Sequence, residues 1–390
     1  MPRFSRMFMA CLLTLSLLLS PVMAARSANS GSSTNILAPG LKDGHKYRIA
    51  YCESEPYVNY AGTLYALIKG FGKLGWLDAR GLPYAKGQSD TTAMWDYLTA
   101  HNSSPYIDFV KDGNYSLSTM PSANPENLII RRLKEKGDID LVICMGTKAG
   151  KILAQGKHKV PVAVFSTSNA VRAGIVKSAS DSGCDNIWAH VDPARYQTQI
   201  EVFHDIFKFK KLGLVHEDSE TGRILAAVDD VKKVARTEEF KIIGYGIKEP
   251  INDADQERYY HDLLKLHKKL AGEVDAMYLT MGQIEADRLP EMLAPFYEKD
   301  IPVFSQLGSE EVANGALLSV AQASYNQVGE YGAEVMIKLL RGMSARQLAQ
   351  SFQSTPNIAL NLDVAERIGY KPSFEILLAA DEIYSVHNKK

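Results

Sequence analysis

The chain has 390 residues, 46% of them apolar, and carries 44 basic against 45 acidic side chains. Such a near-neutral balance gives no electrostatic reason to bind nucleic acid or an anionic membrane surface. The length suffices for two ordinary domains, each with its own core.

The first residues read as an address. Arg3 and Arg6 form a short basic start, Met9 to Leu19 is apolar, and Val22-Met-Ala24 offers small residues for cleavage. This predicts a secretory signal peptide over residues 1–24, too short for a stable membrane span. Its removal leaves 42 basic against 45 acidic side chains and three cysteines, Cys52, Cys144 and Cys184. An odd count in an exported protein permits at most one bridge, and apolar strand neighbours favour buried, unpaired thiols. The scattered histidines and the lack of a Cys-x-x-Cys give no metal-site spacing. Neither metal nor cofactor is expected.

Residues 25–44 are rich in Ser, Asn and Gly and predict a disordered lead. Lys46 to Cys52 reads as a strand and Thr63 to Trp76 as a helix with one apolar face. Within Gly81 to Asn124 the pattern is weaker: Asp90 to Ala100 suggests a helix and Tyr106 to Val110 a strand, the rest being loop. Asn124 to Lys136 is helical and leads into a strand at Asp140. Ser178 to Asn186, rich in Ser, Asp and Gly, predicts a crossing between domains. Then the order restarts: strand Leu212–His216, helix Gly222–Thr237, strand Lys241–Tyr245, helix Ala254–Ala271, and a strand at Asp275. Ser319 to Gln322, a long helix Tyr325–Leu340 and Ile358 to Leu362 complete the pattern. Strands of near-continuous apolar residues alternating with helices predict parallel sheets covered on both faces.

The chain also repeats itself. Asp140-Leu-Val-Ile-Cys-Met-Gly-Thr147 with Val160 to Ser166 is matched by Asp275-Ala-Met-Tyr-Leu-Thr-Met-Gly-Gln283 with Ile301 to Ser305. Each copy is a strand, a crossover helix and a second strand ending in Phe-Ser. Two copies imply two sheets whose carboxyl edges can face across a cleft, where open α/β sheets bind ligands. Late elements returning to the first lobe and recrossing to the second suit a hinge.

Ile301-Pro-Val-Phe, Glu311-Val-Ala-Asn-Gly-Ala-Leu317, Tyr325-Asn-Gln-Val-Gly329, Leu339-Leu-Arg-Gly342 and Asn361-Leu-Asp-Val-Ala-Glu-Arg-Ile-Gly369, taken in that order, form a motif set. Asp140 to Gly174 adds Thr147, Ala149 and Val171-Arg-Ala-Gly174. Together these resemble the ABC-transporter substrate-binding proteins of the tryptophan- or tyrosine-binding type, over roughly Lys46 to the C-terminus. The resemblance implies an α/β fold of two Rossmann-like lobes with parallel sheets joined by a three-strand hinge, the type I periplasmic-binding-protein fold. The implied lobes are residues 45–187 with 323–352, and 188–322 with 353–390. The chain departs from the family at Asn169-Ala170 and at Gly282-Gln283, where many members have Asp-Pro and Asp-Asn. It departs again at Glu217-Asp218-Ser219 and in the long Gly81–Asn124 segment.

Candidate ligand contacts follow from strand ends. Thr147 and Lys148 open a helix whose first amides favour an anion, though an ordinary helix start would look the same. Ser166, Thr167, Ser168 and Asn169 offer donors and acceptors at the same edge, as any hydroxyl-rich turn would. Glu53, Ser54, Glu55 and Tyr57 put two carboxylates beside an aromatic ring, fit for an ammonium group or equally for a solvated turn. Asp218, Ser219 and Thr221 face from the other lobe, with Thr221 alternatively a helix cap. Gln283, Gln306 and Gln322 both donate and accept, Gln322 and His190 lying near the hinge.

The expectation is an exported, periplasmic, monomeric binding protein that captures a small polar, amino-acid-like metabolite and delivers it to an ABC permease in the inner membrane. A ligand-presenting sensor for a membrane receptor would use the same cleft. A less favoured alternative is an exported hydrolase with Glu53 and Asp218 as paired acids; no Gly-x-Ser-x-Gly elbow, zinc motif or phosphate loop supports it.

Overall fold

The computed structural model describes residues 35–101, 104–120, 124–250, 253–280, 284–323, 325–351 and 356–385. The expected signal peptide lies outside them. The disordered lead needs correction from Asn35 onward, because this stretch is tied to the body. Trp76 Nε1 donates to the Leu37 carbonyl at 2.9 Å, Arg341 Nη2 to the Ala38 carbonyl at 2.9 Å, and Lys42 Nζ to Asp140 at 2.7 Å.

Two sheets organise the chain. The first holds β1 (Tyr47–Glu53), β2 (Ile107–Ser116), β3 (Leu141–Met145), β4 (Val162–Phe165) and β5 (Ile187–Ala189), all parallel, in the order β2-β1-β3-β4-β5. The second holds β6 (Lys211–Glu217), β7 (Lys241–Ile247), β8 (Ala276–Leu279), β9 (Val303–Ser305), β10 (Leu318–Ala323), β11 (Pro356–Asn361) and β12 (Glu382–Tyr384). Its order is β12-β11-β10-β9-β8-β6-β7, with only the β10–β11 pair antiparallel.

Around the first sheet pack α1 (Val58–Lys73), α2 (Thr92–Ala100), α3 (Pro125–Glu135) and α4 (Thr147–Gln155). They form the first lobe. The second lobe carries α5 (Arg195–Phe207), α6 (Glu220–Leu225), α7 (Val228–Thr237), α8 (Gln256–Leu270), α9 (Leu289–Tyr297), α10 (Ser309–Ala313), α12 (Leu362–Arg367) and α13 (Phe374–Ala379). Helix α11 (Tyr325–Leu340) leaves the second sheet and packs back on α1. Close approach explains that contact: a Cβ on Gly329 would strike the Ala66 carbonyl, and one on Gly70 would strike the Gly329 carbonyl.

The repeat extends to side chains. Asp140 accepts from the Arg48 amide at 2.8 Å, and Asp275 accepts from the Lys211 amide at 3.0 Å. Each aspartate thus ties the foot of its own strand to the strand beside it in the sheet, β1 or β6. Against the cost of burial, hydrogen bonds from Arg48 and Lys42 hold the Asp140 carboxyl down at about 2.

Four expectations shift. Ser178–Asn186 is no crossing: Arg346 reaches Asp181, Gln350 N donates to the Ala179 carbonyl, and β5 still pairs with β4. The chain therefore leaves the first sheet after Ala189, not after residue 187. The single helix expected over Gly222–Thr237 is two, broken where Ala227 takes a left-handed φ of 50°. β2 is longer than expected and its register against β1 slips between Ile49 and Tyr51, so part of the long segment bulges out. Cys52 and Cys144 lie opposite each other in β1 and β3, both buried, free and pushed up in pKa by desolvation.

Candidate ligand-binding cleft

In the first sheet the strand order turns between β1 and β3, and in the second between β6 and β8. Crevices at such switch points lie outside the carboxyl ends of the strands. At the first, Gly146 follows β3 with a φ of 91°, and a Cβ there would come within 2.6 Å of Ser54 Oγ. Only glycine lets the β1 and β3 loops close together here.

These two loops sort the predicted residues. Ser54 is buried, and its hydroxyl accepts from the Ala149 amide at 3.1 Å, fixing the start of α4. Glu53 shares a face of β1 with Tyr51, and so points into the core. It accepts from the Tyr51 hydroxyl at 2.7 Å and from Thr91 at 3.4 Å, and burial pushes its carboxyl up to about 7. With 2% of its surface exposed, Glu53 is closed off from the cleft, which removes it from the cross-cleft acid pair. Glu55 and Tyr57 turn the other way. Glu55 is exposed, accepts from Tyr60 at 3.4 Å, and still has a raised pKa because protein surrounds it.

Thr147 accepts from the Ser168 amide at 3.2 Å, joining the β3 and β4 loops, and Lys148 is exposed beside them. Ser166 takes a left-handed φ of 53°, an uncommon backbone state for a residue with a side chain. Its hydroxyl lies 3.1 Å from Thr63 Oγ1 of α1. Thr167 is buried, while Asn169 Oδ1 accepts from the Arg172 amide at 3.0 Å.

In the second lobe Ser219, rather than Thr221, caps α6, its hydroxyl accepting from the Gly222 amide at 2.8 Å. Asp218 and Thr221 are exposed. Gln306 is buried; its Nε2 donates to the Leu225 carbonyl at 3.0 Å, and its Oε1 has no hydrogen-bond partner among the described residues. Gln322 lies in β10 opposite Asn357, but its side chain, like all of Gln283, falls outside the described residues.

The groups that meet across the lobes include several that strand-end reasoning passed over. Tyr57 is half-buried, and burial, then the Glu311 carboxylate, pushes its phenol upward, with Arg195 acting in the opposite sense and Tyr325 and Glu310 adding to the rise. Glu311 and Glu310 sit in α10, just past β9; burial pushes Glu311 up to about 7, and the Ser305 hydroxyl donates to it at 3.3 Å. Arg195 opens α5, and its Nε is buried without a hydrogen-bond partner among the described residues. His190 is held down at about 4 by burial and then by Arg195. Among the described residues two ion pairs bridge the lobes, Arg172–Asp230 at 3.1 Å and Lys86–Glu382 at 2.6 Å. Beside the Lys86 bridge runs an interlobe groove of about 600 Å³, lined in part by Tyr65, Tyr84, Glu310 and Tyr325. The cleft therefore offers aromatic rings, carboxylates and a guanidinium within a partly desolvated space.

Two parallel-dominated sheets with facing carboxyl rims and three chain passages between them define a type I periplasmic-binding fold. Residues 110–384 match the family model described as ABC transporter substrate binding protein. This chain belongs to the ABC transporter substrate-binding protein family. A tyrosine-binding protein of Clostridioides difficile (strain R20291) is 22% identical over 249 residues, spanning 63% of this chain and 66%, just under two thirds, of that relative. Among solved structures, an ABC domain in complex with L-Trp from Streptococcus pneumonia superposes with a TM-score of 0.61 at 16% identity, covering 87% of this chain and 99% of that one. A ligand-free, open substrate binding protein with adhesive properties from Clostridium difficile gives 0.60 at 20% identity, with the same coverage. Both likenesses concern the fold.

Proposed function

We propose that this chain is the exported, periplasmic solute receptor of an ABC importer, its signal peptide cleaved near Ala24. It captures a small, polar, amino-acid-like metabolite between its lobes as a monomer and delivers it to the permease in the inner membrane. The observation that carries this reading is Tyr57 of the first lobe lying in the field of Glu311, Glu310 and Arg195 of the second. An aromatic platform between opposite charges suits a compact zwitterion, since closure replaces its hydration by fixed polar partners. The amino acids named for relatives, tyrosine and tryptophan, are of the same class. No chemical step on the ligand belongs to this reading, and Glu53, the acid a hydrolase would need, is closed off in the core.

Native mass spectrometry of the purified protein, followed by a thermal-shift screen of small metabolites, tests the proposal. A binding solute raises the melting temperature as its concentration exceeds the dissociation constant. A protein that carries no small molecule and responds to none would refute solute capture.

A further inference from the structure

Arg195 stands apart from the other cleft residues. Its side chain makes no ion pair or hydrogen bond among the described residues, and its Nε is buried without a partner. The nearest aromatic contact is the neighbouring Tyr196 ring, 5.4 Å from the guanidinium carbon. Helix α5, which Arg195 opens, is 13 residues long, with no side-chain cap and no acidic residue in its first turn. Just ahead of it the Asp192 carboxylate accepts from the Ala194 amide at 3.3 Å, so the helix start already faces an anion and the guanidinium does not. Burying a guanidinium nitrogen without a partner is costly, and a chain tolerates that cost where a ligand supplies the acceptor. Glu310 and Glu311 lie near Tyr57 as Arg195 does, but no ion pair joins either to Arg195.

We propose that Arg195 is the carboxylate anchor of the cleft, with the ligand's carboxylate on the guanidinium and its amino group toward Glu311 and Glu310. Tyr57 fills the space between the two ends. A planar guanidinium accepts a carboxylate through two parallel hydrogen bonds, so it fixes orientation as well as charge. Under this assignment neutral polyols are poor ligands, because they leave Arg195 unpaired on closure. The inference rests on the solute-receptor reading and names the chemical class that this receptor selects.

The test uses the full mature protein and a panel of the twenty L-amino acids, each accompanied by its amide and its decarboxylated amine, together with glucose, galactose and ribose. Melting shifts select binders, and titration calorimetry measures them. The expected result is at least one amino acid that binds, with its amide and amine weaker by on the order of 100-fold. Arg195→Gln should lose a similar factor for the acid and little for the amine, with Arg195→Lys intermediate. The comparison of acid with amide on the unmutated protein holds even if a variant folds poorly. Equal affinity for acid and amide, or full affinity of a folded Arg195→Gln for the acid, would overturn the anchor. Sugars binding while every amino acid fails would overturn it too, yet leave solute capture standing. A protein that binds nothing in the panel and carries no small molecule in native mass spectrometry would end both.

Discussion

Arg172, in the turn after β4, donates to the buried Asp230 carboxylate at the start of α7, 3.1 Å away across the lobes. Gln197 of α5 donates to the same carboxylate at 3.0 Å. One acidic group therefore ties the turn beside the first-lobe rim to two helices of the second lobe. Arg172 itself is partly exposed, so the pair contributes no more than about 1 kcal/mol. Arg172→Ala should shift the ligand-free protein toward open forms by a few-fold, with a larger radius of gyration in X-ray scattering. An unchanged scattering curve would show that the pair has no say in the lobe angle.

Glu53 gives a pH dependence of stability whose direction is fixed. Its folded-state pKa, about 7, lies above the ordinary 4.5 because burial disfavours the charge. Its contribution is fully present below pH 4.5 and is lost as pH rises through 7. Each unit of difference is worth about 1.4 kcal/mol. Glu53→Gln, which keeps an acceptor for Tyr51 and Thr91, should therefore be more stable than the parent at pH 8 by about 2 kcal/mol and similar at pH 4. Urea melts at the two pH values measure this. Equal differences at both would show that Glu53 is not the titrating group.

Glu311 has the same raised pKa but faces the cleft, so its titration should appear in binding. Ser305, Glu310 and Tyr57 surround it, with Arg195 also acting on Tyr57. A ligand amino group favours the ionised carboxylate. Affinity should then fall below pH 7 by up to about tenfold per unit, with proton release on binding near neutrality. Calorimetry in buffers of different ionisation enthalpy reads that proton, and Glu311→Gln should abolish it.

Gly329 tests the packing that returns α11 to the first lobe. Alanine is the better helix former by about 1 kcal/mol. Its Cβ, however, would strike the Ala66 carbonyl of α1. Overpacking of this kind costs about 1–3 kcal/mol, so Gly329→Ala should lower the melting temperature despite its higher helix propensity. A rise would mean that the two helices separate without penalty.

Much of the fold was legible in the sequence because buried parallel strands and long amphipathic helices announce themselves. Tyr325–Leu340 emerges with the boundaries its apolar spacing predicts. What escaped depends on tertiary pairing. The short β12 gains its place only by pairing with β11, and the β1–β2 register slip has no local signature. The cleft was half legible. Strand-end position put Glu55 and Tyr57 at the rim but could not separate them from Glu53, which the alternation of β1 sends inward. The same reasoning stopped at Gln306, four residues short of Glu310, and passed over Arg195 because no strand was predicted over Ile187–Ala189 before it. Asp192-Pro-Ala-Arg195, a helix start directly after β5, was the signal available.

Ser166 shows a compromise between durability and service. A glycine would hold its left-handed turn with less strain, yet the chain keeps a hydroxyl there, braced by Thr63. That hydroxyl ties the turn after β4 to the helix that follows Tyr57. Ser166→Gly would thus relax the backbone and cut the tether together, so a variant bred only for heat resistance would drift toward a rim less firmly held.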